Sequence, residues 1–328
     1  MMPRHVVSLA VMVLLGGQAD RQPLPPRPIR NDEPRRGTEV LVLRHQQLRK
    51  GAHEQYYESS RDGVWPWYER IGARVVGQWL VIPEGGAGEF DDAYRLARYA
   101  SFEHWRATRD TDNASLGGNG PNREKSLQSG RDRTGVQTGS KGAYFLQGQM
   151  APDGPLDMPG LAEQYAVVDA NRQAAATDEM IAVRNPAAEP GREIVELRYQ
   201  RLVKASADRF LETTRDRIWP WELKLGARPI GQWKVIHPNA PSRTTESPEY
   251  DEVITLTRYA SRAHWQAMRP ESAVFMGGNG PDYQAWSVGL ALQNTLTRET
   301  SVEIMEGHMY NSPQIFMPGL PERYRRVP

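Results

Sequence analysis

Four arginines occupy matched places in this 328-residue chain and are its first candidates for chemistry. Arg44 and Arg198 each end an alternating, largely apolar stretch, Val40-Leu41-Val42-Leu43 and Ile194-Val195-Glu196-Leu197, while Arg98 and Arg258 each open the tetrapeptide Arg-Tyr-Ala-Ser. A guanidinium presents a planar fork of N–H donors that suits an anionic or polar group. Arg44, Arg98, Arg198 and Arg258, together with Glu196, therefore form a candidate ligand-binding set. The competing reading makes the arginines structural ion pairs with Glu196, Glu303 or Glu306. If the chain is a catalyst, Arg198, Arg258 and His308 are the candidates for polarising or deprotonating a substrate.

Other side chains narrow the chemistry. The chain has no cysteine, which removes thiolate catalysis and disulfides. Its seven histidines show no HxxxH or HExxH spacing, so no metal site is expected. A Ser-His-Asp arrangement, a carboxylate dyad signature and a dinucleotide fingerprint are all missing, and no cofactor is implied. His104-Trp105 and His264-Trp265 are expected on the outer side of a short helix, and Trp65, Trp67, Trp219 and Trp221, flanking Pro66 and Pro220, are expected to pack helix ends. Gly117 to Pro121 and Gly277 to Pro281 read as tight turns, since no lysine or P-loop order accompanies them.

The elements that must position these residues recur in a tandem repeat. Trp65-Pro66-Trp67 returns as Trp219-Pro220-Trp221, Gly77-Gln78-Trp79 as Gly231-Gln232-Trp233, Arg98-Tyr99-Ala100-Ser101 as Arg258-Tyr259-Ala260-Ser261, and Met158-Pro159-Gly160-Leu161 as Met317-Pro318-Gly319-Leu320. The offset grows across Glu84 to Asp91, whose counterpart Pro238 to Asp251 is longer and polar, as expected of a surface loop. Within each copy the periodicities predict a strand (Glu39 to Leu48; Glu193 to Leu202) and a helix broken at its proline (Ala52 to Ile71; Ala205 to Leu225). Two strands follow (Arg74 to Ile82 and Ala93 to Tyr99; Arg228 to Ile236 and Val253 to Tyr259). A short helix capped by Ser101 or Ser261 and a last strand (Ala143 to Met150; Val302 to Met309) complete the copy. The order βαββαβ predicts an α+β chain of two tandem ferredoxin-like domains, 37–168 and 191–328, joined by a linker at 169–190 and pairing sheet to sheet. Along the first strand, Leu41, Leu43, Val195 and Leu197 are expected under the helices, which puts Arg44, Glu196 and Arg198 in the space between the sheets.

Met1 to Ala19 has the basic start, apolar run and small-residue end of a signal peptide, and 20–36 is a proline-rich tether. This predicts an exported protein, periplasmic or extracellular, with no integral membrane segment once the leader is cut. The net charge is +1 with basic residues dispersed, so nucleic acid is not an expected partner. A small-molecule ligand is, and the chain is a monomer or homo-oligomer.

Glu193-Ile194-Val195-Glu196-Leu197-Arg198-Tyr199, Phe210, Pro220, Leu225-Gly226-Ala227, Ile230-Gly231-Gln232-Trp233, and Leu256 to Ser261 before Trp265 resemble the NIPSNAP family of the dimeric α+β barrel superfamily. The first copy fits less closely, with His45 where the family tends to have an aromatic. The resemblance implies a barrel of paired ferredoxin-like sheets, here supplied within one chain. Three functions stand open: a small molecule bound in the barrel between the repeats, a cofactor-independent monooxygenase or isomerase, and a structural or interaction protein with a filled barrel.

Overall fold

The computed structural model describes residues 39–85, 88–109, 120–150, 193–240, 242–268 and 280–309. The leader, the tether, the inter-repeat linker, both Met-Pro-Gly-Leu segments, Gly117 to Asn119 and Gly277 to Asn279 lie outside the described residues. In the first repeat the strands are β1 (Val40–Arg49), β2 (Arg74–Ile82), β3 (Phe90–Tyr99) and β4 (Gln137–Met150); in the second they are β5 (Ile194–Val203), β6 (Arg228–Ile236), β7 (Tyr250–Tyr259) and β8 (Thr297–Met309). All pair antiparallel, in the ferredoxin-like orders β4-β1-β3-β2 and β8-β5-β7-β6. The sheets join edge to edge, β2 on β8 and β4 on β6, and so close one eight-stranded barrel. Closure pairs Gly77–Ile82 with Ile304–Met309 and Phe145–Met150 with Gly231–Ile236, covering edges that an open four-stranded sheet would leave exposed.

The barrel interior holds an apolar core. Leu41, Leu43, Val76, Trp79, Tyr94 and Leu96 meet Val195, Leu197, Ile230, Trp233, Ile254 and Leu256 in one apolar cluster drawn from both repeats. Register shifts between Val75 and Gly77, and between Pro229 and Gly231, break the strict alternation. Both Val76 and Trp79, and both Ile230 and Trp233, thereby turn inward. This reverses the expected facing. Val40, Val42, Ala97 and Phe145 lie under the helices with Tyr57 and Trp65, so Arg44, Glu196 and Arg198 project into the sheet–helix layers and not into the barrel. Period two sorts residues into two faces, but both faces of these strands are apolar and the pattern alone does not say which one meets the helices.

Each repeat covers its outer face with helices α1 (His53–Ser59), α2 (Trp65–Arg70), α3 (Phe102–Ala107) and α4 (Pro121–Val136), or α5 (Ala207–Thr213), α6 (Trp219–Lys224), α7 (Arg262–Ala267) and α8 (Pro281–Leu296). The prolines do not break the first helix of either repeat. A π turn, Ser60–Val64 or Thr214–Ile218, precedes each one. The wider turn takes up the hydrogen-bond mismatch that a residue without an N–H creates, and Ser60 and Thr214 hydroxyls donate back to the Tyr56 and Phe210 carbonyls at 2.6 and 3.0 Å. The sixteen-residue helices α4 and α8 fall where only a turn was expected before the last strand. Proline at their starts was the available signal, but α4 carries few apolar residues and offers weak periodicity.

Ser101 and Ser261 cap α3 and α7, each accepting the N–H of the histidine three residues on at 3.1 Å. Those histidines, His104 and His264, are buried at 3% and 0% exposure, contrary to the outer placement expected. Each Nδ1 accepts an alanine N–H, from Ala100 or Ala260, and each Nε2–H donates to the end of the proline-containing helix, at Ile71 O (2.7 Å) or Leu225 O (2.8 Å). They are corner clamps with both nitrogens occupied, and burial lowers the His264 pKa to about 4.

Candidate functional site

On the outer face of the second sheet, β5, β7 and β8 present Glu196, Arg198, Gln200, Thr255, Thr257, Tyr259, Thr300 and Val302 to the helices. Polar residues at every second position leave this face poorly matched to an apolar helix layer. The space between holds a cavity of about 450 Å³, partly roofed by Phe210, Ile218, Trp219, Met268, Trp286 and Leu290 and otherwise open to solvent. Its size lies within the roughly 300–1,000 Å³ usual for small-molecule sites. Glu84, from the loop after β2, reaches its rim, so both repeats contribute.

The polar floor is organised around Glu196, which is 4% exposed. One carboxylate oxygen accepts from Arg198 Nε at 2.7 Å and the other from the Trp265 indole N–H. Burial works against the Arg198 charge, yet Glu196 beside it raises the guanidinium pKa. Glu222, two residues past Pro220 on α6, stands against the same floor. Burial first, and then the Glu196 charge, push its pKa up to about 8 in spite of Arg198. Burial and the two carboxyl groups also raise Tyr259 well above its usual value, leaving its phenol a hydrogen-bond donor. The cavity therefore contains a protonated carboxylic acid, a carboxylate locked by two donors, a phenol and aromatic walls. Two carboxyl groups facing one guanidinium disfavour an anionic guest. A neutral molecule with a hydroxyl or carbonyl fits these partners.

The residues singled out from sequence do not all meet. Arg198 and Glu196 line the cavity together. Arg98 and Arg258 share the inner face with Leu41 and Val195 by register, and pair with the strand-opening Glu39 (3.1 Å) and Glu193 (3.5 Å). They act as structural ion pairs, though with different carboxylates from those expected. Arg44 lies in the other sheet–helix layer, beside Arg95 by register. His308 pairs with Gln78 across the β2–β8 seam, and its side chain lies outside the described residues. Trp65, Trp67 and Trp221 pack as expected, whereas Trp219 also walls the cavity. Glu222 was not foreseen. Its one sequence signal is that Trp-Pro-Trp is followed by glutamate here and by Tyr68 in the first repeat. The polar loop that lengthens the second repeat is more than a surface insertion: Arg243 N–H donates to Ala143 O at 2.7 Å, and its guanidinium meets His45.

Among the described residues no group of three or more His, Asp or Glu could hold a metal ion, and no helix is long and apolar enough to cross a membrane. No protein-family model and no curated protein matches the chain. Solved structures similar to it include a proposed monooxygenase from Lactobacillus acidophilus NCFM, with a TM-score of 0.46 and 8% identity over 82% of this chain and 93% of that one. An anthrone oxidase-like protein gives 0.43 and 9% over 85% and 94%. The encapsulated DyP-type peroxidase from Mycobacterium smegmatis gives 0.38 and 11% over 87% and 96%. Similarity this distant says nothing about chemistry. The strand order itself is that of a dimeric α+β barrel, built from the two halves of a single chain.

Proposed function

We propose that this chain binds a small, neutral, largely apolar or aromatic molecule bearing a hydroxyl or carbonyl group, in the cavity between sheet and helices of the second repeat. The observation that carries the proposal is the coincidence, in one aromatic-walled space of about 450 Å³, of the Glu196–Arg198–Trp265 network with Glu222 and Tyr259. The residues between the sheets form an apolar cluster drawn from both repeats, which supports the sheet–helix layer as the site. Titration with 2-naphthol, followed by quenching of the cavity tryptophans Trp219 and Trp286, tests it. Saturable quenching is expected, and Leu290→Trp, which fills the space, should abolish it. Equal quenching in both proteins would place the ligand elsewhere.

A second reading, an acid–base enzyme of the cofactor-independent oxygenase or isomerase kind, is favoured specifically by Glu222. A carboxyl with a pKa of about 8 is a far stronger base than an ordinary glutamate and still has a usable ionised fraction at neutral pH. Glu222 would take a proton from bound substrate, Tyr259 would donate to the substrate oxygen, and the Glu196–Arg198 pair would fix orientation. Turnover by this route should rise with pH through about 8, and Glu222→Gln should remove that limb. The matched residues from Glu193 to Trp265 support a NIPSNAP-like affiliation, and Met1 to Ala19 supports export, which cell fractionation with N-terminal sequencing of the mature chain would test.

A further inference from the structure

The first repeat holds no counterpart of this cavity chemistry. Its sheet–helix layer is instead cationic. Where the second repeat has Glu196, the first has Val42; where it has Glu222, Tyr68; where it has Thr255, Arg95; where it has Gln293, Arg133. Arg44 and Arg95 are directly opposed on β1 and β3, and Gln78 is the next residue across on β2, so the three form a row on the outer face. Arg133 descends from α4 and Arg109 follows α3. Arg95 and Arg109 stand over the Tyr68 ring at 5.4 and 5.7 Å, and Arg133 over the Tyr56 ring at 4.6 Å.

Guanidinium groups this close repel one another unless something anionic lies between them. Among the described residues no carboxylate forms an ion pair with Arg44, Arg95, Arg109 or Arg133. The available protein partners are phenols: Arg109 Nη2 donates to Tyr68 and Tyr99 at 3.1 and 3.3 Å, and Arg133 Nη2 to Tyr56. Donors remain over. Arg95 is 3% exposed and Arg133 9%, yet Arg44 Nε, Arg95 Nε and Nη1, and Arg133 Nε have no hydrogen-bond partner, and neither do both amide atoms of the fully buried Gln78. Buried polar groups in folded proteins are almost always satisfied, so a cluster of orphaned donors marks a missing acceptor. The phenols offset part of this charge, raising the pKa of Arg95 and Arg109 against burial. Burial favours a neutral Tyr68, but the four arginines draw its pKa well below the usual value; burial, with Arg109 and Arg95, lowers Arg44 to about 10.

We propose that the sheet–helix layer of the first repeat is an oxyanion-binding site, in which Arg44, Arg95, Arg109 and Arg133, with the Gln78 amide, hold a phosphate-type group. The site is independent of the second-repeat cavity. Its ligand is inorganic phosphate or the phosphoryl group of a small ester, since both present multiple acceptor oxygens and more than one negative charge to a set of forked donors.

The experiment is calorimetric titration of the full chain with inorganic phosphate and, separately, with phenyl phosphate, alongside thermal unfolding with potassium chloride matched for ionic strength. Saturable binding and a rise in Tm beyond the chloride control are expected. Tighter binding of phenyl phosphate assigns an ester as the ligand, and tighter binding of inorganic phosphate the free anion. Arg44→Met and Arg133→Met should each weaken binding roughly tenfold to hundredfold. Wild-type protein that shows neither heat nor a Tm shift with either compound at millimolar concentration overturns the proposal, with no appeal to a variant that misfolds. So does unchanged affinity in folded Arg44→Met and Arg133→Met proteins.

Discussion

Replacing Glu222 by glutamine should change how stability depends on pH, by an amount set by the cavity. In the folded chain the Glu222 pKa stands at about 8 against an ordinary carboxyl value of 4.5. Below 4.5 the group is protonated whether the chain is folded or not, and its contribution is fully present. Between 4.5 and 8 the unfolded chain gives up the proton while the folded chain keeps it, so stability falls as pH rises, by at most about 1.4 kcal/mol per pH unit. Above 8 the folded carboxyl ionises too and the loss is complete. The whole interval sets an upper bound near ~5 kcal/mol. Glu222 is only partly buried, and solvent screening brings the expected loss to about 2–3 kcal/mol. Glutamine copies the shape of the protonated acid and cannot titrate. Urea unfolding of both proteins from about pH 4 to 9 should therefore show matching stability at the acid end. The variant should gain about 2–3 kcal/mol on wild type by the alkaline end, most of it between 4.5 and 8. Parallel curves across that range would refute the account of Glu222, and with it the acid–base reading of the cavity.

Arg198→Leu removes the guanidinium that holds Glu196 and restrains Glu222. The pH at which stability levels off should move above 8 and 2-naphthol quenching should weaken, both read on the same samples. Gly148→Ala and Gly307→Ala should each destabilise the fold by about 1–3 kcal/mol in urea. An added Cβ would clash with the Gln232 or Gln78 carbonyl oxygen, across the two seams where the repeats join. His45 and His264, both held near 4 mainly by burial, are neutral in the folded chain while their unfolded counterparts titrate near 6.5. As pH falls from 6.5 to 4 each should cost up to about 1.4 kcal/mol per unit. His264→Asn should flatten part of that slope in acid unfolding monitored by circular dichroism.

Much of the architecture was legible from the residues. Trp-Pro-Trp, Gly-Gln-Trp and Arg-Tyr-Ala-Ser mark equivalent points in both copies, and the alternation in β1 and β5 identifies the strands. The serine caps of α3 and α7 followed from a local rule and were found. Local rules worked because capping and strand alternation depend on neighbours a few positions away. They were weaker for α4, whose few apolar residues leave little periodicity to read.

The sequence by itself determined that two alike units with strand-and-helix order would have to cover one another's sheets, and that arginines stood at corresponding strand positions. Only the tertiary structure decided where those arginines point. Both faces of β1 and β5 are apolar enough to be buried, so the choice fell to how the sheets close: edge pairing of β2 with β8 and β4 with β6 makes one interior, and the inward-turned Trp79 and Trp233 help fill it. That pushes Arg44, Glu196 and Arg198 outward beneath the helices, where partners from distant segments define the sites. Glu222 becomes a weak acid because the fold buries it and sets it beside Glu196, and Arg44 joins a cationic layer because the fold brings Arg95 and Arg109 beside it. Burial and charge proximity are properties of three-dimensional neighbours, and no spacing along the chain encodes them.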